Sequence, residues 1–149
     1  MKSRIGFTSV LGSEYLEDLE RLLFFNPQQN KTITGISESI ADYGVPNVYV
    51  EQGRLRIRLE NLPGAQTVFV LEDSSNTPVL VGVMIYSRID LENLVLLHIA
   101  VREEYSRFGS RADVGLVNKM MGQMRVIARK LNGVRSIHLK YTKGLVFPV

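Results

Sequence analysis

Residues 93–143 constrain the fold more than any other part of the chain. They read as a buried strand over 94–101, a polar basic loop over 102–111, an amphipathic helix over 112–132 and a second strand over 136–141. A strand, crossover helix and strand in this order usually carry a parallel pair and place the helix N-terminus at the strand ends. A helix start in that position suits an anion such as phosphate. Met120, Met121 and Met124 fall in the helix's apolar pattern and read as core filling.

The preceding residues supply the partners of this unit. A short first strand is expected over 4–8, and Ser13 has the character of an N-cap with Glu14 and Glu17 in the first turn. Leu16, Leu19, Leu22 and Leu23 then recur at helical spacing, and Pro27 stops the helix. A second, shorter helix is expected over 35–43, closed by Gly44. From Asn47 the period becomes two, and 48–50 and 55–59 flank a hairpin turn. On the second arm Leu55, Ile57 and Leu59 face one way and Arg54, Arg56 and Arg58 the other. That arginine row is either a solvated face that discourages edge pairing or a wall for an acidic substrate or partner. The apolar run at 67–71 reads as a strand buried on both faces, and 79–86 as the next strand, with Gly82 marking a bulge or a close backbone approach. The class is therefore α+β: two N-terminal helices, an antiparallel meander, then the strand–helix–strand crossover, which makes the sheet mixed.

Composition narrows the function. A chain of 149 residues is expected to form a single domain, 1–149, with a sizeable core. The absence of cysteine excludes disulfides, thiolate metal sites and a cysteine nucleophile, and two histidines argue against a histidine-rich metal site. No metal is expected. No apolar run reaches the length of a membrane span and no signal peptide is evident, so the expected location is cytoplasmic, with no membrane partner. The net charge of +3 is modest, and no aromatics interleave with the basic residues, which argues against nucleic acid as a partner.

Val68-Phe69-Val70-Leu71-Glu72, then Leu80-Val81-Gly82-Val83, then Leu97-His98-Ile99-Ala100-Val101 with Glu104-Tyr105, the helix after them, and Ile137-His138-Leu139 form an ordered series. This series resembles the second to fifth strands and the signature loop of the GNAT superfamily of acyl-CoA-dependent N-acetyltransferases. The resemblance covers 68–141 and implies a GNAT-like fold and an acetyltransferase acting on a small-molecule or peptide amine. Acetyl-CoA or another acyl-CoA would be the co-substrate. In that family the cofactor arm lies where the fourth and fifth strands splay apart, so Ile99 and Val101 would supply its backbone contacts. The following loop would wrap the pyrophosphate with Arg107, Phe108, Gly109, Ser110, Arg111 and Ala112. The family pattern is Gln or Arg, two residues, Gly, one residue, then Gly or Ala. Placing Gly109 on the first glycine puts Ser106 and Arg111 at the outer positions; sliding by one fits Arg107 and Ala112 but puts Ser110 on the glycine.

N-acylation needs an amine placed against a thioester and a route for its proton. His98 and Glu72 are the candidate bases, and Tyr141 is the nearest candidate acid toward the departing thiolate. Strict alternation puts Leu96, His98 and Ala100 on one face and Leu97, Ile99 and Val101 on the other. Ser110 and Asp113 have the spacing of a capping box, which would occupy the amides a pyrophosphate needs. After the last strand only residues 143–149 follow, where the family continues with a helix and two strands. That apolar tail either covers the open sheet edge or pairs with a second chain, so a homodimer is expected. Two functions follow: an acyl-CoA-dependent N-acyltransferase, or a non-catalytic binding or dimerisation module on the same scaffold.

Overall fold

The computed structural model describes residues 4–24, 46–62, 64–73, 77–105, 109–111, 114–139 and 145–148, the last group by backbone alone. The helix expected over 35–43 lies outside them. The apolar and alternating runs form β1 (Arg4–Thr8), β2 (Asn47–Glu51), β3 (Arg54–Arg58), β4 (Gln66–Asp73), β5 (Val79–Arg88), β6 (Asn93–Val101), β7 (Ser136–Leu139) and β8 (Leu145–Pro148). Among the described residues two α-helices, α1 (Leu16–Phe24) and α2 (Leu116–Arg129), accompany them. Six strands make one sheet in the order β1-β4-β5-β6-β7-β8, and β2 and β3 form a separate hairpin. Every neighbouring pair is antiparallel except β6 and β7. The protein is thus α+β with a mixed sheet, and α2 is the crossover between its parallel strands.

The continuous apolar runs are explained by cover on both faces. On one face Val70, Met84, Leu94 and Leu96 pack with Leu116, Met120, Met124 and Ala128 of α2. On the other, Phe69, Val83, Ile85 and Val95 pack with Leu19, Leu22 and Leu23 of α1 and with Leu55 and Leu59 beside the hairpin. The methionines fill core, as their spacing implies: Met120 and Met124 are fully buried. Gly82 lets α2 come close, since a Cβ there would sit 3.2 Å from both Met120 Cε and the Ala100 carbonyl oxygen.

Two bulges correct the strict alternation. Val70 and Leu71 pair with Gly82 and Leu80, leaving Val81 as the extra residue in β5. Ile85 and Tyr86 pair with His98 and Leu96, leaving Leu97 as the extra residue in β6. Beyond that bulge the phase of β6 is inverted. Leu97 and Ala100 belong to the α1 face, whereas Leu96, Ile99 and Val101 belong to the α2 face.

The helix starts also differ from expectation. Gly12, not Ser13, precedes the first turn, which is a 3-10 turn over Ser13–Tyr15 without a side-chain cap. α2 begins at Leu116 rather than at 112, behind Gly115 with φ 66° and ψ 43° and no side-chain cap. Ser110 therefore is not the N-cap of this helix; Asp113, the other half of the expected capping box, lies outside the described residues. The hairpin turn is as read: Gln52 (φ 52°) and Gly53 (φ 75°) both occupy the left-handed region that a two-residue type I′ turn requires. The tail residues of β8 pair with β7 of the same chain, from Ser136 opposite Pro148 to Leu139 opposite Leu145.

Candidate functional site

The loop after β6 is built from local backbone bonds. The Arg102 amide donates to the Val81 carbonyl at 2.9 Å, which holds the strand exit against β5. The chain then winds through a 3-10 turn over Glu103–Tyr105, closed by Tyr105 N–H to the Arg102 carbonyl at 2.9 Å. Tyr105 drops its ring into the α2-side core. Gly109 packs directly on this turn: a Cβ there would overlap the carbonyl oxygens of Glu103 and Glu104. The Arg111 amide donates to the Glu104 carbonyl at 2.6 Å, and the Val114 amide to the Arg111 carbonyl at 3.2 Å.

This path brings Arg111 to Glu72. Glu72 continues the α2-facing series Val68 and Val70 along β4, opposite Ile5 of β1, and is 3% exposed. Arg111 Nη1 donates to Glu72 Oε1 at 2.7 Å, and the guanidinium lies over the Tyr105 ring at 5.1 Å. The stack is a cation–π contact, which orients the planar fork toward the carboxylate. Burial, assisted by a hydrogen bond to the Glu72 carboxylate and by its charge, pushes the Tyr105 phenol well above its ordinary value of 10.0. Tyr105 is therefore a neutral donor at physiological pH. Glu72 Oε2 is buried without a hydrogen-bond partner. Arg102, the other described arginine of the loop, faces Glu104 Oε2 at 3.9 Å across an exposed gap.

His98 lies on the opposite face. Its register partner Ile85 belongs to the α1-side core, and the ring is only 6% exposed with Nε2 unpartnered. Desolvation lowers its pKa below the ordinary 6.5, so the imidazole is a neutral group sealed beneath the sheet. The sheet itself separates His98 from Glu72, and the two candidate bases do not share a site. Ile99 is half-buried and Val101 buried, both against the α2 side. Ser110 is exposed beside the turn. Arg107, Phe108, Ala112 and Tyr141 lie outside the described residues.

The ladder between β6 and β7 runs from Asn93 opposite Ser136 to Leu96 opposite Leu139. Leu139 is the last described residue before 145. At the other end of this pair a polar group ties the strands together. Asn93 donates to both oxygens of Asp90, at 2.8 and 2.9 Å, and its Oδ1 meets Ser136 Oγ and, at 3.0 Å, His138 Nε2. The bond from Asn93, with the Glu92 amide, lowers the Asp90 pKa. Ser136 Oγ also lies 3.4 Å from His138 Nε2, but both side chains make their shorter contacts to the Asn93 carbonyl oxygen, and the group acts as a strand clasp.

Sequence reasoning placed Glu72 and Arg111 in different roles and did not single out Tyr105 as their partner. The available signal was Glu72 itself, in phase with Val68 and Val70 on an otherwise apolar strand. Among the described residues no group of His, Asp and Glu is arranged to hold a metal ion, and no helix is long and apolar enough to cross a membrane. No family model, curated protein or solved structure matches the chain.

Proposed function

We propose that this chain is a non-catalytic binding domain on a GNAT-like scaffold, working without acyl-CoA. The observation that carries this is the engagement of Arg111. Its guanidinium is held by buried Glu72, and its amide by the Glu104 carbonyl. Gly109 packs against the Glu103 and Glu104 carbonyls, which supplies a structural reason for a glycine there. The described donors of the loop therefore do not fit a pyrophosphate cradle, and a phosphate near Arg111 would also meet the Glu72 charge. The separation of His98 from Glu72 by the sheet supports the same view, because these two candidate bases do not meet around one cleft.

One observation favours the second function, N-acyl transfer from acyl-CoA to an amine: β6 and β7 are a parallel pair joined by the α2 crossover, the arrangement that the resemblance implies on the cofactor side. Calorimetry with acetyl-CoA and with CoA at millimolar concentration separates the two. The binding-domain function predicts no heat and no thermal shift. Saturable heat with acetyl release to an amine would overturn it. A homodimer belongs to the same proposal: β8 is an edge strand of the sheet, and edge strands recruit further strands. Sedimentation as a monomer at all concentrations would count against that part.

A further inference from the structure

The hairpin and the main sheet meet incompletely. The hairpin docks on the β1–α1 connection through an antiparallel bridge between Gly12 and Arg54, where the Leu55 amide donates to the Leu11 carbonyl at 2.8 Å and the Ser13 amide to the Gly53 carbonyl at 3.1 Å. In a hairpin with a two-residue turn, the flanking pair Glu51–Arg54 is hydrogen-bonded, as is Tyr49–Arg56 two residues on. Leu55 and Ile57 then turn their backbone groups outward. Those of Ile57 have no partner among the described residues. Across the gap β4 begins at Gln66, although β1 reaches it only at Phe69. Two strand edges thus face each other with no strand of the described residues between them.

The space between them is a cleft of about 320 Å³ bounded by Arg56, Arg58, Tyr49, Ile57, Thr67 and Phe69. That volume is at the lower end of small-ligand sites. No acidic side chain of the described residues lines it. Arg56 and Arg58 have no carboxylate within ion-pair distance among the described residues, and Arg58 is braced over the Tyr49 ring at 5.0 Å. A guanidinium fixed in this way loses little freedom when it receives a carboxylate.

We propose that this cleft binds a short, extended acidic peptide segment of a partner protein. The segment adds as a strand to the open edge at Ile57 and places a carboxylate on Arg56 and Arg58. Main-chain pairing supplies the hold and the arginines the selectivity, as in other cases of strand addition. The cleft borders the α1-side core, across the sheet from Arg111, so it does not depend on whether acyl-CoA binds.

The test is an NMR titration of the intact 15N-labelled chain with three probes: a blocked Glu-Val-Glu tripeptide, a blocked Lys-Val-Lys tripeptide and inorganic phosphate. The acidic peptide alone should shift the Ile57 and Thr67 amides and slow hydrogen exchange at Ile57, and its affinity should fall with added salt. Arg56→Gln with Arg58→Gln should weaken it by about tenfold or more, the loss expected of charge-assisted bonds. The thermal midpoint should hold, because both side chains are exposed. If the double variant does not fold, Arg56→Gln alone is read in the same way. Equal response to the lysine peptide, or an unmoved Ile57 amide, would overturn the proposal. Phosphate producing the same shifts would reduce the cleft to a simple anion site and overturn the peptide assignment.

Discussion

Replacing Arg111 by methionine tests the Glu72 pair directly. The substitution keeps most of the side chain's length and removes its charge and its stack on Tyr105. Glu72, 3% exposed, is then left as a buried carboxylate without its cation. Breaking a fully buried pair from one side costs about 3–5 kcal/mol, because the remaining charge is uncompensated. The Arg111 side chain is 37% exposed, so water screens part of the interaction. Discounting for this, the expected loss is about 2 kcal/mol. Glu72→Gln should cost less, about 1 kcal/mol, since the freed guanidinium can turn to solvent. The double variant should lose less than the sum, with a coupling of about 1 kcal/mol or more. Urea unfolding of the four proteins measures this, provided the slopes agree and only the midpoints move. Additivity within about 0.3–0.5 kcal/mol would refute the pairing as an energetic unit.

Other perturbations bear on separate parts of the structure. Burial depresses the His98 pKa, so the unfolded chain takes up a proton first as pH falls. Stability from this group is full above the ordinary value of 6.5 and is lost as pH drops through it toward the lower folded value. His98→Leu should flatten the stability profile as pH falls below the ordinary value of 6.5, and identical slopes in both proteins would disprove the assignment. Gly109→Ala should destabilise by more than about 2 kcal/mol, because backbone carbonyls must move, and should expose Tyr105 as read by its fluorescence. Arg88 donates to the carbonyls of Leu91 at 2.7 Å and Asn132 at 2.5 Å, clasping the β5–β6 turn to the end of the crossover. Arg88→Ala should cost about 1 kcal/mol and speed hydrogen exchange in that turn, and a change only in distant amides would argue otherwise.

Much of the fold was legible because it follows from local pattern. Alternation at 54–59 gave the hairpin, since each side chain's face follows from its position and Gln52-Gly53 accepts the turn's dihedrals. The apolar run at 67–71 gave a doubly covered strand. The faces beyond Val81 and Leu97 were not legible, because a bulge adds one residue and inverts the phase without changing composition. The helix start was misread for a related reason. Ser110 and Asp113 satisfy a local cap, but tertiary contacts hold Arg111 on Glu104 and Glu72, and the helix begins only after Gly115 has turned the chain.

The role of Arg111 shows why local pattern fails at the site. Within its loop it is one basic residue near a helix start, and a phosphate is the natural partner. Its actual partner is 39 residues earlier in the chain. Glu72 is desolvated in every folded molecule, so its need for a cation is permanent, whereas a phosphate competes only when bound. To take Arg111, a phosphate must leave Glu72 bare. At about 2 kcal/mol, that competition lowers phosphate affinity roughly thirtyfold. The order of preference is set by where the carboxylate sits along β4, and no motif confined to residues 106–112 can carry that information.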